Sequence, residues 1–383
     1  MQFTINREAL LKPLQLVTAV IERRQTVPIL ANVFLNLKDK SLSLLGTDME
    51  VELSGRIALE DAGKEGKTTA PARKLVDICK SLPEESVLKF QQKGDKLILQ
   101  CGRSRFNLAT LPATDFPIAE ESLSANNRQI SFTLPQKRLR SLIEATNFAM
   151  AQQDVRYYLN GMLWELSEGS LRVVATDGHR LATSIKDLVS HASVDAQNDN
   201  ESTPSDYQFI IPRKAVHELS RLLNDDEESD VTILLNNNQL RVNTQAYTFT
   251  SKLIDGKFPG YDRVIPQRGD KILVVSRDLL KSSLMRVGIL SNDKHRSICL
   301  EMQDKELRIF ANNLDQEDAE DVLEADYSGE AITVAFNINY LIDVLNSLPS
   351  GLVRITLTST DASVRLESVE ENSSIYVIMP MRL

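Results

Sequence analysis

Apolar residues recur at helical spacing in three stretches that align without gaps: FTINREALLKPLQLV from Phe3, FTLPQKRLRSLIEAT from Phe132 and LVVSRDLLKSSLMRV from Leu273. Each opens with apolar and polar positions in alternation, the period of a strand. Each then passes to apolar positions three and four apart, the period of an amphipathic helix. The stripes expected to be buried are Leu10, Leu14 and Val17; Leu139, Leu142 and Ile143; and Leu280, Leu284 and Val287. A second helix recurs as PARKLVDICKSLPEE from Pro71, PRKAVHELSRLLNDD from Pro212 and NINYLIDVLNSLPSG from Asn337. A strand-and-turn unit recurs as LSLLGTDME, LRVVATDGH and LRIFANNLD, and a strand pair as RFNLATLPATDFP and TFTSKLIDGKFP. The third copy ends differently, in SIYVIMPMRL.

Self-similarity of this length marks a repeat architecture. The offset between the first two copies stays at 129 from residue 3 to residue 48. The pattern predicts an α+β chain of three tandem domains, 1–127, 128–269 and 270–383, each with two helices backed by about eight short antiparallel strands. The six helices are expected at 7–20, 73–81, 136–146, 213–222, 277–287 and 339–348. Polar, turn-rich segments at 121–129 and 266–271 mark the boundaries. The stretch SHASVDAQNDNESTPSD, 190–206, has no apolar period and reads as a flexible loop inserted in the second domain.

The segment ATDGHRLA, 175–182, groups Asp177, His179 and Arg180 around a glycine and resembles catalytic chemistry. The repeat argues otherwise. Thr47 and Asp48 stand where Thr176 and Asp177 stand in the second copy. Asp-Gly between alternating strands is a hairpin signal. Gly178, His179 and Arg180 belong to the second copy alone, so a site there remains open. No nucleophile motif, glycine-rich phosphate loop or carboxylate cluster accompanies them.

Composition narrows the function classes. The 383 residues are 42% hydrophobic and 25% charged, with no long apolar run, and MQFTINREAL lacks a signal-peptide pattern. Cys79, Cys101 and Cys299 form neither a disulfide framework nor a zinc spacing, so a reducing cytoplasm is expected and no cofactor or metal. The net charge of −9 disfavours nucleic acid until its distribution is seen. The six helices carry 14 Lys and Arg against 6 Asp and Glu, while the rest of the chain carries 30 against 47. A basic surface inside an acidic shell suits a phosphate backbone. None of the helices carries a run of polar residues that would read base edges, so such binding is independent of sequence. Twelve helices from two chains, spaced about 10 Å apart, would enclose a hole of roughly 28 Å, wider than a ~20 Å duplex.

Several blocks in order, VPILANVFL, TTAPARK, RSRFNLATLPATDFP, QDVRYYLNGML, VATDGHRLA, IIPRK, FTSKLIDGKFP and YVIMPMRL, resemble the bacterial DNA polymerase III beta subunit family, the replicative sliding clamps, over essentially the whole chain. The resemblance implies a homodimeric ring of six clamp-type domains, each chain supplying half. Helices would line the hole and sheets the rim. It implies a non-catalytic processivity factor that encircles double-stranded DNA and tethers the polymerase III catalytic subunit. A clamp loader, other polymerases and repair proteins would dock through short peptides, with no membrane partner.

Residue by residue, the resemblance places DNA contacts at Arg24, Arg73, Gln153, Tyr157, Tyr158 and Lys214. Arg24 and Gln153 are also equivalent at the 129 offset. Read as adjacent strand residues, Tyr157 and Tyr158 would face opposite ways. The partner-peptide cleft maps to Leu159, Thr176, Gly178, His179, Arg180, Leu181, Pro259, Arg263, Val264, Val377, Met379, Pro380, Met381, Arg382 and Leu383. The dimer joint maps to Phe106 and Leu108 in the first domain and Ile289 and Leu290 in the third. Two departures stand out: the 190–206 loop is longer and more acidic than the family's linker, and Gln152 stands where a His can occur.

Overall fold

The computed structural model describes residues 1–23, 26–60, 63–118, 129–167, 169–188, 193–195, 207–224, 229–236, 238–266, 269–292 and 296–382. The helices are α1 (Arg7–Ala19), α2 (Ala72–Ser81), α3 (Gln136–Thr146), α4 (Arg213–Leu222), α5 (Arg277–Val287) and α6 (Ile338–Ser347). Each continues directly from a strand, as the period change predicts. The expected stripes are buried: Leu10, Leu14 and Val17 on α1, Leu139, Leu142 and Ile143 on α3, Leu280, Leu284 and Val287 on α5. Among the described residues no helix is long and apolar enough to cross a membrane.

The chain gathers into two compact units that cut through the middle repeat. The first comprises the described residues of 1–137, 188–202 and 214–253; the second those of 138–187, 203–213 and 254–383. In the first, a sheet of four strands is bounded by Gln2–Asn6 and Ser104–Ala109. Its nine-stranded sheet joins repeats: Tyr247–Lys252, from the middle repeat, pairs antiparallel with Val51–Ala58, from the first. The second unit repeats the device. Arg180–Asp187 of the middle repeat pairs antiparallel with Ser374–Ile378 of the last, again within nine strands. Its four-stranded sheet is bounded by Asp318–Glu324 and Ile332–Asn337.

Two sequence expectations need correction. Ser193–Asp195, inside the expected loop, is a short strand paired with Gln129–Pro135; residues 190–192 and 196–206 lie outside the described residues. Tyr157 and Tyr158 are not in a strand but in a single 3-10 turn, Tyr157–Leu159. Asn160 explains it. Its side-chain amide accepts from the Asp154 N–H at 2.9 Å and donates to the Asp154 carbonyl at 2.9 Å, curling the segment on itself.

Helix α1 lies close on its sheet because Gly46 has no side chain. A Cβ there would stand 2.6 Å from the Val17 carbonyl oxygen. The second copy has Ala175 at the matching position. Gly46→Ala should lower the unfolding free energy by about 1–3 kcal/mol, because overpacking outweighs the ~0.5–1 kcal/mol that alanine gains over glycine in a strand. Urea denaturation checks this; an unchanged or raised midpoint would contradict the close approach.

Candidate functional site

The first candidate is a cationic hollow of about 810 Å³ in the first unit, walled by α1, the segment after it, α2 and α4. Arg23, Arg73, Lys80, Lys214 and Arg221 line it, against the acids Glu22 and Asp77. The sequence expectation thus brings Arg73 and Lys214 into one place. Both have internal partners: the Arg73 guanidinium donates to the Ile21 carbonyl at 3.0 Å. The Lys214 ammonium pairs with the Asp48 carboxylate and lies 3.3 Å from Glu22 Oε1. Arg221 is freer, with its side chain 66% exposed beside Glu218. The sequence shows Arg221 only as one more charge on a basic helix, without a motif that marks it as a contact. Arg24 lies outside the described residues.

Gln153 and Tyr157 belong to the second unit. Gln153 is exposed at a backbone φ of 56°, and Tyr157 is 57% exposed. Tyr158, expected beside them, instead packs against an apolar cluster and lines the second candidate site.

That second site is an apolar cleft of about 210 Å³, lined among others by Leu159, Thr176, Gly178, His179, Arg180, Leu181, Pro259, Val264, Val377 and Met379. These are ten of the fifteen residues assigned to a peptide cleft. Arg156, Tyr158, Gly260 and Tyr261 line it too. Beneath lies a buried cluster that includes Leu159, Leu163, Val174, Leu181, Phe258, Tyr261 and Val377. Arg263 is exposed on the Asp262–Val264 turn and is not in the lining. The chain end leads away: the Met379 N–H bonds the His179 carbonyl at 2.9 Å, and the Met381 N–H bonds the Ala335 carbonyl at 2.8 Å. Pro380, Met381 and Arg382 therefore sit outside the lining, and Leu383 lies outside the described residues.

The 177–179 hairpin is structural. Asp177 Oδ1 accepts the N–H groups of His179 at 2.9 Å and Arg180 at 3.0 Å. Thr176 Oγ1 accepts from Gly178, whose φ of 90° suits glycine. Asp48 does the same work in the first copy, accepting from Glu50 and Val51. Asp177 Oδ2 takes Arg180 Nε at 3.0 Å, so this carboxylate is committed and offers no free base.

Arg180 in turn anchors the cleft. Its guanidinium pairs with Asp343 on α6 and donates to the Phe148 carbonyl at 2.7 Å. It lies 4.5 Å from the Tyr340 ring centroid and 5.2 Å from that of Phe148. On the rim, Arg156 holds the Asp154 carboxylate down at about 2 through a side-chain hydrogen bond. The same Arg156 donates to the Asp177 carbonyl at 3.3 Å. Among the described residues no cluster of His, Cys, Asp or Glu is arranged to hold a metal. What the cleft offers is an apolar cavity in which Thr176, Arg156, Arg180 and Tyr261 already hold internal hydrogen-bond partners, a receptor for apolar side chains.

Arg180→Ala should cost about 2–3 kcal/mol, since charged hydrogen-bond partners are left behind in a partly buried setting. Arg180→Lys should recover little of this, because an ammonium cannot reproduce the fork. Urea unfolding of both variants measures it; full recovery by lysine would contradict the account.

Comparison with known proteins places these features. Residues 1–120, 133–260 and 262–382 match, in order, the N-terminal, central and C-terminal domains of the DNA polymerase III beta subunit. The chain is 49% identical over 383 residues to the beta sliding clamp of Pseudomonas aeruginosa, and 46% identical to that of Escherichia coli K12, covering all of both proteins in each case. A crystal structure of the Pseudomonas aeruginosa clamp bound to griselimycin matches all of both chains at 48% identity with a TM-score of 0.92. The clamp of Caulobacter crescentus matches at 34% identity and a TM-score of 0.89, over 100% of this chain and 99% of that one.

Proposed function

Because the chain belongs to the DNA polymerase III beta subunit family, the sliding clamps, we propose that its sheet edges close a homodimeric ring around double-stranded DNA and that its apolar cleft receives partner peptides. Its function is that of a non-catalytic processivity factor built from three clamp domains. The domains are read as 1–127, 128–269 and 270–383.

The observation that carries the ring is the way repeats join. Val51–Ala58 of the first repeat takes Tyr247–Lys252 of the second, and Arg180–Asp187 of the second takes Ser374–Ile378 of the third. The corresponding strand of the third repeat, Asp318–Glu324, is an edge, and so is the corresponding strand of the first, Ser104–Ala109. Each is the partner the other lacks. An open edge is a liability unless paired. Within one chain the joining rule is satisfied twice; a second copy supplies the third join at both ends. Ile289 is 77% exposed and Val322 50% exposed near that edge, with Leu290 part-buried beside them. Phe106, also part-buried, and Leu108 lie on the other edge. The exposed Arg103 and Arg105 beside Phe106 oppose in sign Asp318, Glu320 and Asp321.

The basic helices supply the DNA-facing surface. Arg73 and Arg221 are its principal contacts in the first hollow, with Arg24, Gln153 and Tyr157 as further contacts, while Tyr158, packed on the apolar cluster, belongs to the cleft instead. Lys214 contributes less, since a phosphate must compete with Asp48 and Glu22 for it. Contact of this kind is electrostatic and sequence-independent. The cleft docks the polymerase III catalytic subunit, the clamp loader, other polymerases and repair proteins, each through a peptide with large apolar side chains. Arg263, Pro380, Met381, Arg382 and Leu383 form the margin such a peptide meets beyond the lining. The protein works in the cytoplasm and needs no cofactor.

Two variants separate the two halves of this proposal. Ile289→Asp should halve the mass seen by sedimentation and abolish long synthesis runs by a cognate polymerase on primed circular DNA. Leu181→Asp should keep the dimer mass and still shorten the runs to those of polymerase alone. A dimeric Ile289→Asp would contradict the ring joint, and full-length runs with Leu181→Asp would contradict the cleft.

A further inference from the structure

We propose that a polar row across three strands, Gln208, Glu165 and Arg172, shapes the cleft by holding Tyr261, and that these are positioning residues for the bound peptide; this rests on the peptide-docking reading above. Glu165 stands directly opposite Arg172 on the strand Ser170–Thr176 and opposite Gln208 on the strand Tyr207–Pro212. Gln208 Nε2 donates to Glu165 Oε1 at 2.7 Å. The Tyr261 hydroxyl donates to Glu165 Oε2 and accepts from Arg172 Nη1 at 3.2 Å. Both carboxylate oxygens are thus occupied, one by the amide and one by the phenol.

Tyr261 connects this row to the cleft. The residue is 5% exposed, its ring packs with Leu159, Leu181 and Val377, and it lines the cavity. Burial pushes its phenol well above the usual range, so it remains a donor at working pH. The same segment is tied again three residues on, where Ser363 Oγ donates to the Val264 carbonyl at 3.0 Å. Val264, itself in the lining, thus carries one tie on its own carbonyl and follows the other, at Tyr261, by three residues.

The repeats show that the sheet does not need the row. In the first copy the positions of Glu165 and Arg172 are Asn36 and Ser43, which face each other across the same strand pair. In the third they are Glu301 and Arg308, and there the acid and base bond one another directly at 2.9 Å. In the second copy, which carries the cleft, both groups turn onto a phenol from the cleft wall. A cross-strand pair capable of closing on itself has been opened around a tyrosine whose other end is the binding surface. Losing the hydroxyl lets Glu165 and Arg172 close, as in the third copy. The fold is then kept, but the ring and the Val264 wall are no longer fixed before the peptide arrives. Binding must then supply that ordering, which weakens it.

The test uses the full dimeric protein and a fluorescein-labelled hexapeptide with leucine and phenylalanine at its last two positions, followed by fluorescence anisotropy. Tyr261→Phe should bind about tenfold more weakly, the size expected for losing one charge-assisted hydrogen bond. Glu165→Leu should lose a similar factor, and the double variant no more than either single, because the two act as one unit. Glu165→Gln, which keeps an acceptor, should recover most of the affinity. The single tryptophan, Trp164, is fully buried, so unchanged emission shows that the fold is intact. If Glu165→Leu unfolds, Tyr261→Phe decides alone. Wild-type affinity for a folded Tyr261→Phe, with Leu181→Asp still blocking the peptide, overturns the positioning role and leaves the cleft standing. Failure of the wild-type protein to bind, or unimpaired binding by Leu181→Asp, overturns the cleft and this inference together.

Discussion

Strands of neighbouring repeats are joined edge to edge, Val51–Ala58 to Tyr247–Lys252 and Arg180–Asp187 to Ser374–Ile378, and the rest of the architecture follows from that pairing. An antiparallel edge presents unpaired N–H and C=O groups, and leaving them bare invites association. Here the exposed edge of one repeat is the template for the next. The middle repeat is consequently divided between two compact units, its strands continuing both neighbours' sheets. The edges left at Ser104–Ala109 and Asp318–Glu324 differ in charge, with Arg105 on the first and Asp318, Glu320, Asp321 and Glu324 on the second.

The joins are reinforced by one turn used twice. In the first copy Asp48 caps the turn through its own carboxylate and also takes Lys214 from the following repeat. In the second, Asp177 caps the turn and takes Arg180, and Arg180 reaches Asp343 of the following repeat. The charge order is reversed, yet the mechanical result is the same: a hairpin from one repeat is fastened to the second helix of the next. The cleft sits beside the second fastening, which is why an arginine that reads as catalytic in sequence proves to be an anchor.

Much of this was legible along the chain. All six helices fall within a residue or two of their predicted bounds, because each has a buried stripe and follows a strand with a clear change of period. The Asp-Gly hairpin was readable because its copy lacks the other supposed catalytic residues. What was not legible depended on distance. No local signal announces that residue 182 will pair with residue 376, so the division into two units was hidden. The turn at Tyr157–Leu159 depends on the Asn160 amide folding back on Asp154, which a strand pattern does not reveal. Tyr261 was missed because its importance lies in what its hydroxyl meets across three strands. Ten of the residues that the resemblance implies for a cleft line one apolar cavity; Arg263, Pro380, Met381 and Arg382 do not line it, and Tyr158 and Tyr261 do.

A closed ring holds DNA by topology, surrounding the duplex rather than relying on affinity for it. The direct measurement loads it onto nicked circular DNA with a compatible clamp loader and ATP, then raises the salt and follows retention before and after the circle is cut. Retention on the circle with prompt release on cutting is the predicted result, because charge attraction alone does not register whether DNA has ends. Loss from both forms at high salt, with loading verified by a known clamp, would contradict the closed ring.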